Sequence, residues 1–365
     1  MVRPQVIVTI AGETPTLSPP TATGTLFVAY AGTTGPTEPA HITSLKDATD
    51  AVIPDAIAAW IQVALGQGVS EVYVVRASGE DTSDLQASEW TAALDLFTPS
   101  LGAGQVTIPG IATEAAHEAL LAHVAGSTQR IAFLDVEEDA DAATVLTTAT
   151  SLSAAEGADH AALFAPWVQM PGIGGPRSVP ASILAAGLAA RGDAATGHAN
   201  HAPIASRGAI TGAVDVVTPI SGPEADEIYE AGANVFRVEV GAVRLTGWLS
   251  LSQSDVWRQL NVGRLMMAIG ARVSSDMYQF IGLPIDGQGA LFSQVSGTIT
   301  GYLVGLFEAG AINGATADDA LDVVCDFTNN TRETISRGEV HADVAVRPSL
   351  TAELITIRIV ASLAG

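Results

Sequence analysis

The apolar positions of residues 24–245 alternate between the spacing of β-strands and that of α-helices. Short runs of apolar and β-branched residues predict strands at 26–31, 72–75, 105–108, 130–136, 161–165, 214–217 and 235–240. Apolar residues spaced three or four apart predict helices at 55–65, 113–124, 140–155, 178–190 and 221–231. This alternation is typical of an α/β domain with a parallel sheet.

The last third of the chain has a different pattern. Long apolar stripes predict two helices, at 254–273 and 289–309. Strands are predicted at 321–327, 340–346 and 354–360, and in the last two apolar and polar residues alternate as they do in half-exposed antiparallel strands. The pattern therefore predicts an α+β domain after residue 245.

Both ends of the chain have strand patterns. Val6, Val8 and Ile10 share one face of a predicted strand, and the Thr- and Pro-rich residues 12–25 that follow are typical of an extended linker. At the other end, Ile355, Ile357 and Ile359 alternate in the same way. The chain is predicted to begin and end in strand-forming segments.

The charge excludes several classes of protein. The 365 residues carry a formal net charge of −23, with 48% hydrophobic and 15% charged residues. This hydrophobic content excludes a disordered acidic chain, and the lack of a basic face argues against a nucleic-acid partner. Residues 1–240 hold eight basic and 27 acidic residues, a net charge of −19, whereas residues 241–365 carry −4.

Lysine and cysteine each occur only once in the sequence, and this excludes further classes of protein. Lys46 does not follow a glycine, which excludes a phosphate-binding loop of the Walker type. Cys325 is the only cysteine and is expected to be a small buried residue, which fits folding in a reducing cytoplasm. No signal peptide or membrane-spanning segment is predicted, since the most apolar window, 299–311, contains three glycines and a glutamate.

A serine hydrolase was considered because Asp135 ends a predicted strand and His160, His198 and His201 follow it. The sequence has no G-x-S-x-G turn for a nucleophile. The alternative for Asp135, a strand-end carboxylate that caps a loop, is the preferred interpretation.

No metal or cofactor site is predicted. His198 and His201 lie in a glycine-containing loop without a nearby carboxylate, and the glycine-rich residues 170–176 lack the dinucleotide-binding spacing. The acidic run 137–141 lacks the glycine of a calcium loop and is interpreted as a solvated helix start.

An ordered set of short segments resembles the family of contractile tail sheath proteins. The segments lie at 24–44, 68–76, 162–167, 179–183, 208–210, 233–237, 247–248, 257–265, 310–316, 325–338 and 352–353. Each is weak alone, but together they follow the family's order over nearly the whole chain. Residues 162–167 (Ala-Leu-Phe-Ala-Pro-Trp) and 179–183 (Val-Pro-Ala-Ser-Ile), for example, resemble a "YPW…VPPSG" region of the family.

The resemblance implies a structural protein and no enzyme. Sheath subunits form stacked hexameric rings around a tail tube and contract to drive the tube through a cell envelope. The implied fold is a subtilisin-like α/β domain without catalytic residues at 23–245 and an α+β domain at 246–349. Extended β-strand arms are implied at 1–22 and 350–365.

The resemblance also implies partners and a location. The expected partners are further copies of the chain, the tube, the baseplate and the tail terminator, with no direct nucleic-acid contact and no membrane insertion. The location would be the tail of a phage or phage-tail-like particle assembled in the host cytoplasm; a bacteriocin or extracellular injection system is the alternative to an infectious phage, and a degenerate serine hydrolase is a more distant one.

Particular residues receive roles from this resemblance. The inter-subunit strands of the arms would include Val6, Val8, Ile10, Ile355, Ile357 and Ile359. Arg258, Arg264 and Arg272 lie in the nearly charge-balanced region and are candidates for facing an acidic tube. Internal pairing of these arginines with Asp255 and Asp276 is an equally weighted alternative.

Overall fold

The structure is a computed structural model that describes residues 9–11, 15–17, 24–78, 85–126, 129–172 and 174–357. Val6, Val8 and Ile359 lie outside the described residues. Ile10 lies in β1 (Thr9–Ala11), which pairs antiparallel with β2 (Pro15–Leu17). The linker interpretation of residues 12–25 is therefore wrong at β2, because this β-competent stretch folds back onto β1.

A large mixed sheet lies at the centre of residues 24–245. In the described part of this region the strands are β3 (Thr25–Gly32), β4 (Ala40–Ile42), β5 (Glu71–Ser78), β6 (Gly104–Thr107), β7 (Arg130–Asp135), β8 (Ala161–Ala165), β9 (Val168–Met170), β10 (Arg177–Val179), β11 (Asp215–Val216), β12 (Ala233–Glu239) and β13 (Ala242–Leu245). Eight of them form a sheet of order β13-β12-β8-β7-β6-β3-β5-β4. The six inner strands are parallel, and the edge strands β4 and β13 are antiparallel to their neighbours.

The remaining strands of this region, β9 to β11, form a separate three-stranded antiparallel sheet. The predicted strand at 214–217 corresponds to β11 and belongs to this small sheet. The other strands predicted between residues 26 and 240 all join the parallel part of the large sheet. Their near-continuous apolar runs are what strands buried on both faces require.

Helices cover both faces of the large sheet. They are α1 (Leu45–Asp50), α2 (Asp55–Gln67), α3 (Ala87–Leu94), α4 (Glu114–Gly126), α5 (Ala142–Leu152), α6 (Ala181–Thr196) and α7 (Gly222–Glu230). α2 and α6 pack in the core cluster on one face, and α3, α4, α5 and α7 pack in the cluster on the other. The predicted α/β architecture is thereby confirmed as a three-layer arrangement.

The C-terminal region has its own core cluster. Its elements are α8 (Leu260–Met277), α9 (Ala290–Glu308), α10 (Ala317–Ala320), β14 (Leu321–Val324), α11 (Arg332–Ser336) and β15 (Asp343–Val346). Apolar residues of α8, α9 and the following segments form this third cluster. β14 and β15 pair as a two-stranded antiparallel sheet.

Several predicted boundaries differ in this region, and the strand predicted at 321–327, for example, ends at Val324. The first helix begins at Leu260, six residues later than predicted, because residues 249–259 form a turn closed by a β-bridge between Leu249 and Gln259. The strand predicted from 340 begins at Asp343, because the side-chain amide of Asn330 binds both backbone groups of His341. Residues 354–357 form no strand, and 358–360 lie outside the described residues.

One helix among the described residues, α9, is long and apolar enough by length and composition to cross a membrane, with a mean hydropathy of 1.3. Six apolar residues of α9 are nevertheless buried in the third core cluster: Leu291, Phe292, Val295, Ile299, Leu303 and Leu306. This stripe accounts for much of the hydropathy through packing within the subunit.

Candidate functional site

Asp135, at the carboxyl end of β7, is almost fully buried and ties three segments together. Its Oδ1 accepts a hydrogen bond from the Ser182 N–H at 2.8 Å, and its Oδ2 accepts from the Ser182 hydroxyl at 2.6 Å. Oδ2 also accepts from the Gly110 N–H at 2.9 Å. The interpretation of Asp135 as a strand-end carboxylate that caps a loop is confirmed.

The surroundings of Asp135 do not have the geometry of a catalytic triad. A triad serine must give its proton to a histidine, but the Ser182 hydroxyl donates to Asp135 and is itself fully buried. The histidine that does contact Asp135 is His117, whose Nε2 lies 3.0 Å from the backbone oxygen of Asp135. The residues considered as the base, His160, His198 and His201, make none of the hydrogen bonds of Asp135.

Burial raises the pKa of Asp135 to about 6, against the opposing effect of hydrogen bonds from Ser182 and Gly110. Burial likewise lowers the pKa of His117, which favours the neutral imidazole. Both groups serve as hydrogen-bonded supports at the end of the sheet, where the loop after β6 meets the start of α6.

The other candidate ligand groups take structural roles as well. The described residues contain no group of three or more His, Cys, Asp and Glu side chains placed to hold a metal ion. His201 pairs with Asp193 at 2.7 Å. Asp141 caps the start of α5 by accepting from the Thr144 N–H at 2.8 Å, as the interpretation of the acidic run requires.

The three candidate tube-facing arginines occupy different environments. Arg264 is fully buried, and its Nη2 lies 2.8 Å from Oδ2 of Asp193 on α6. The tube-facing hypothesis is therefore wrong for Arg264, because its guanidinium pairs inside the subunit, between α6 and α8. A Cβ at Gly192 would lie 1.9 Å from the His201 ring, so glycine is required where this polar cluster packs against α6.

Arg258 and Arg272 lie nearer the surface. Arg272 has an internal partner, since its Nε donates to Asp276 at 2.8 Å, but its side chain is still half exposed and could reach another molecule as well. Arg258 donates from Nη2 to the backbone oxygen of Tyr229 at 3.2 Å, at the end of α7, and none of its recorded hydrogen bonds goes to Asp255.

The segment after β15 leaves the folded region within a few residues. Pro348 forms a β-bridge with Ile312, and the Ser349 N–H donates to the Ala311 oxygen at 3.1 Å. Further on, Leu354, Ile355 and Ile357 are 84%, 77% and 76% exposed. Three large apolar side chains that are exposed within four residues of chain form a surface suited to binding another molecule.

The small sheet of the C-terminal region has free edges in the described part of the chain. β14 and β15 pair only with each other there, and Asp343, Val344 and Ala345 are exposed. An unpaired strand edge presents backbone N–H and C=O groups to a further strand. The exposed tail and these edges are the features of the described residues best suited to assembly.

Comparison with known proteins identifies the family. Residues 83–250 match the model of the phage tail sheath protein central domain. Residues 83–250 of this chain are therefore assigned to the central domain of phage tail sheath proteins. The prediction made from the ordered sequence segments is confirmed.

Solved structures of sheath proteins have the same fold as this chain. A chain of the contracted helical sheath of the anti-feeding prophage matches with a TM-score of 0.76 at 20% identity, covering 99% of both chains. The contracted sheath complex of the extracellular contractile injection system PVC matches with 0.76 at 18% identity, covering 99% of this chain and 98% of the other. A sheath tail protein from Listeria innocua matches with 0.62 at 12% identity, covering 93% and 96%. A comparison with curated protein sequences gives no match.

Sequence reasoning missed two residues that organise this chain. Asp193 was not singled out, although it is the partner of Arg264. Gln259 was noted only as part of a segment resembling the family, yet its side chain binds the outgoing tail at Thr351. Both contacts join residues more than 70 positions apart, so spacing along the sequence carries no signal for them.

Proposed function

We propose that this chain is the structural subunit of a contractile sheath. Copies of it would polymerise as stacked six-fold rings around a tail tube and contract to drive the tube through a cell envelope. The family match of residues 83–250 together with the exposed apolar tail at 354–357 carries the proposal, because such a tail in a structural subunit needs a neighbour to cover it.

The connection between subunits is proposed to run through the terminal arms, residues 1–22 and 350–365. Each arm would add a strand to a sheet in a neighbour, with β14 and β15 as the natural acceptors because their edges are free in the described residues. An arm of 16 residues spans up to about 50 Å at roughly 3.3 Å per residue. Backbone pairing of this kind can persist while the α/β bodies rotate past one another.

Support for Ile355 and Ile357 as arm residues comes from their exposure, and Ile10 is proposed with them although β1 pairs with β2 in the single subunit. The domain boundaries at 22/23, 245/246 and 349/350 remain part of the proposal. The separate third core cluster supports an independent α+β unit after residue 245.

The α/β domain is proposed to be a subtilisin-like fold that has no catalytic role. The buried Ser182, which donates to Asp135 and has no histidine base, supports this. A degenerate hydrolase would require Ser182 to reach solvent, so a fluorophosphonate probe that fails to label the protein is the expected result.

The proposed partners are the tube, the baseplate and the tail terminator, in a particle assembled in the bacterial cytoplasm. Arg258 and Arg272 remain the candidates for the tube-facing surface. Two of the structures similar to this chain come from the anti-feeding prophage and the PVC injection system, which favours an injection particle as the alternative to an infectious phage.

Electron microscopy of the purified protein tests the function directly. Hollow tubes with six-fold symmetry are the expected result at high protein concentration. Particles that remain single subunits under all assembly conditions, including the presence of a tail tube, would contradict the proposal.

A further inference from the structure

The C-terminal segment is fixed by hydrogen bonds near Ser349, but these hydrogen bonds end a few residues later. The Ser349 oxygen accepts a hydrogen bond from the buried Asn200 Nδ2 at 2.9 Å, and Asn200 is itself fixed by Asn261 Nδ2 at 2.6 Å. Leu350 and residues 352–357 are exposed, and residues 354–357 make no hydrogen bond to another described residue. The change takes place within five residues.

Gln259 makes the last contacts before the change. Its Oε1 accepts from the Thr351 N–H at 3.0 Å, and its Nε2 donates to the Thr351 oxygen at 3.2 Å. One side-chain amide therefore satisfies both backbone groups of Thr351, as a neighbouring β-strand does. Nε2 also lies 2.6 Å from Oε1 of Glu353, an exposed residue whose carboxylate accepts a second hydrogen bond from the Tyr229 hydroxyl.

The position of Gln259 in the fold explains why its side chain is available. Gln259 is the N-cap residue of α8, but its side chain makes no capping hydrogen bond to the helix. Its backbone is held by the bridge to Leu249, next to the large sheet. The side-chain amide of Gln259 is thus attached to a fixed part of the subunit and points toward the tail.

The chain uses the same device at three other places where no tail leaves, through Gln67 at Thr211, Asn234 at Leu249 and Asn330 at His341. Asn330, which is buried, accepts from the His341 N–H at 2.6 Å and donates to the His341 oxygen at 2.8 Å, just before β15. There the amide fixes the entry of a strand within the fold. At Thr351 the equivalent pair of bonds is the last contact made by the main chain of the described tail.

We propose that Gln259 is a positioning residue that clamps the main chain at Thr351 and makes residues 353–354 the hinge from which the C-terminal arm swings toward a neighbouring subunit. This rests on the proposed sheath function. The clamp fixes the origin and initial direction of the arm, so that a short arm searches a small volume for its acceptor strand.

Hydrogen exchange on the full-length subunit, followed by polymerisation, tests the clamp. In Gln259→Ala the amide of Thr351 should exchange about tenfold faster or more, while amides of β7 keep their protection. Gln259→Glu keeps an acceptor for the Thr351 N–H but cannot donate to the Thr351 oxygen and repels Glu353, so its exchange rate should lie between those of wild type and Gln259→Ala. Gln62→Ala, at an exposed position of α2, is the matched control and should behave as wild type.

The same variants should then polymerise poorly or with a changed lattice in electron micrographs. Unchanged exchange at Thr351 in Gln259→Ala overturns the clamp. Faster exchange together with wild-type yield and lattice overturns the positioning role. If the wild-type chain itself forms no polymers while the exchange result holds, the clamp is upheld and the sheath function is overturned.

Discussion

The α/β body and the C-terminal tail contain the same kinds of apolar residues in opposite surroundings. Leu26 and Phe164 in the body are completely buried between the sheet and its helices. Leu354 and Ile355 in the tail are more than three-quarters exposed. The body completes its core within one chain, whereas the described tail leaves its apolar surface for another molecule to cover.

This difference separates folding from assembly. Because helices cover both faces of its sheet, the α/β body gains its stability without contacts to neighbouring subunits. A tail held only as far as Glu353 contributes little to that stability and remains available for pairing. Changes in the two regions should therefore affect different measurements.

Removal of residues 354–365 gives the largest expected effect on assembly. The truncated subunit should unfold at the wild-type temperature within a few degrees, because the described side chains that it loses are exposed. It should form no long tubes in electron micrographs, because the strand offered to the neighbour is gone.

The variant Phe164→Ala, in the core of the α/β body, should have the opposite pattern: a large effect on unfolding and a smaller effect on assembly. Its cost is about 3–5 kcal/mol of unfolding free energy, since a fully buried aromatic side chain is lost. Truncated subunits that polymerise normally would show that the tail is not the connecting element, and the contrast between body and tail would fail.

Two arginines of α8 allow a buried and an exposed ion pair to be compared within a single helix. Arg264→Ala should cost about 3–5 kcal/mol of unfolding free energy, because the largely buried charge of Asp193 would keep only its hydrogen bond with His201. Arg272→Ala should cost less than about 1 kcal/mol, since its pair with Asp276 is partly solvated. Denaturant unfolding of both variants measures the difference, and equal costs would contradict the assignment of Arg264 to the interior.

The sequence predicted the body better than the C-terminal region for a physical reason. Strands such as β7 are buried on both faces, so their apolar runs signal their position without knowledge of the partners. The start of α8 depends on the bridge between Leu249 and Gln259, and the start of β15 depends on Asn330, which are contacts that no local pattern reveals.

The candidate site was predicted only in part for the same reason. The exposed tail was found because Ile355 and Ile357 alternate with polar residues. The clamp of Gln259 on Thr351 and the pairing of Arg264 with Asp193 are long-range side-chain contacts, so the arginines could be chosen by charge but not sorted into buried and exposed.

The titration of Asp135 should have a smaller effect, and only on the stability of the α/β body. Its pKa is about 6 in the folded protein and 3.8 for the free side chain, so the folded state binds the proton more tightly. Its contribution to stability is therefore present below about pH 4 and is lost as the pH rises to about 6. The loss is on the order of 3 kcal/mol or less.

Denaturant unfolding of wild type and Asp135→Asn between about pH 4 and pH 7 measures this contribution. The variant should lack the decline, so the stability of wild type relative to the variant should fall with rising pH. Buried histidines with lowered pKa values give the opposite slope in both proteins and cancel: His117, His123, His160 and His201. Parallel pH profiles would show that Asp135 titrates normally.

The smallest expected effect concerns the division of charge between the two regions. Residues 1–240 carry −19 and residues 241–365 carry −4, so bodies brought together during assembly or contraction should repel one another. Added salt screens such repulsion over a Debye length of about 10 Å at 0.1 M. Polymerisation followed by light scattering should accelerate a few-fold as ionic strength rises over this range.

A pair of double variants locates the repulsion. Glu137→Gln with Glu138→Gln removes two exposed charges from the body, and Asp255→Asn with Asp318→Asn removes two from the C-terminal region. The first pair should reduce the salt dependence and the second should leave it nearly unchanged. Equal reductions would mean that total charge governs the approach of subunits, because the position of the removed charges would then have no effect.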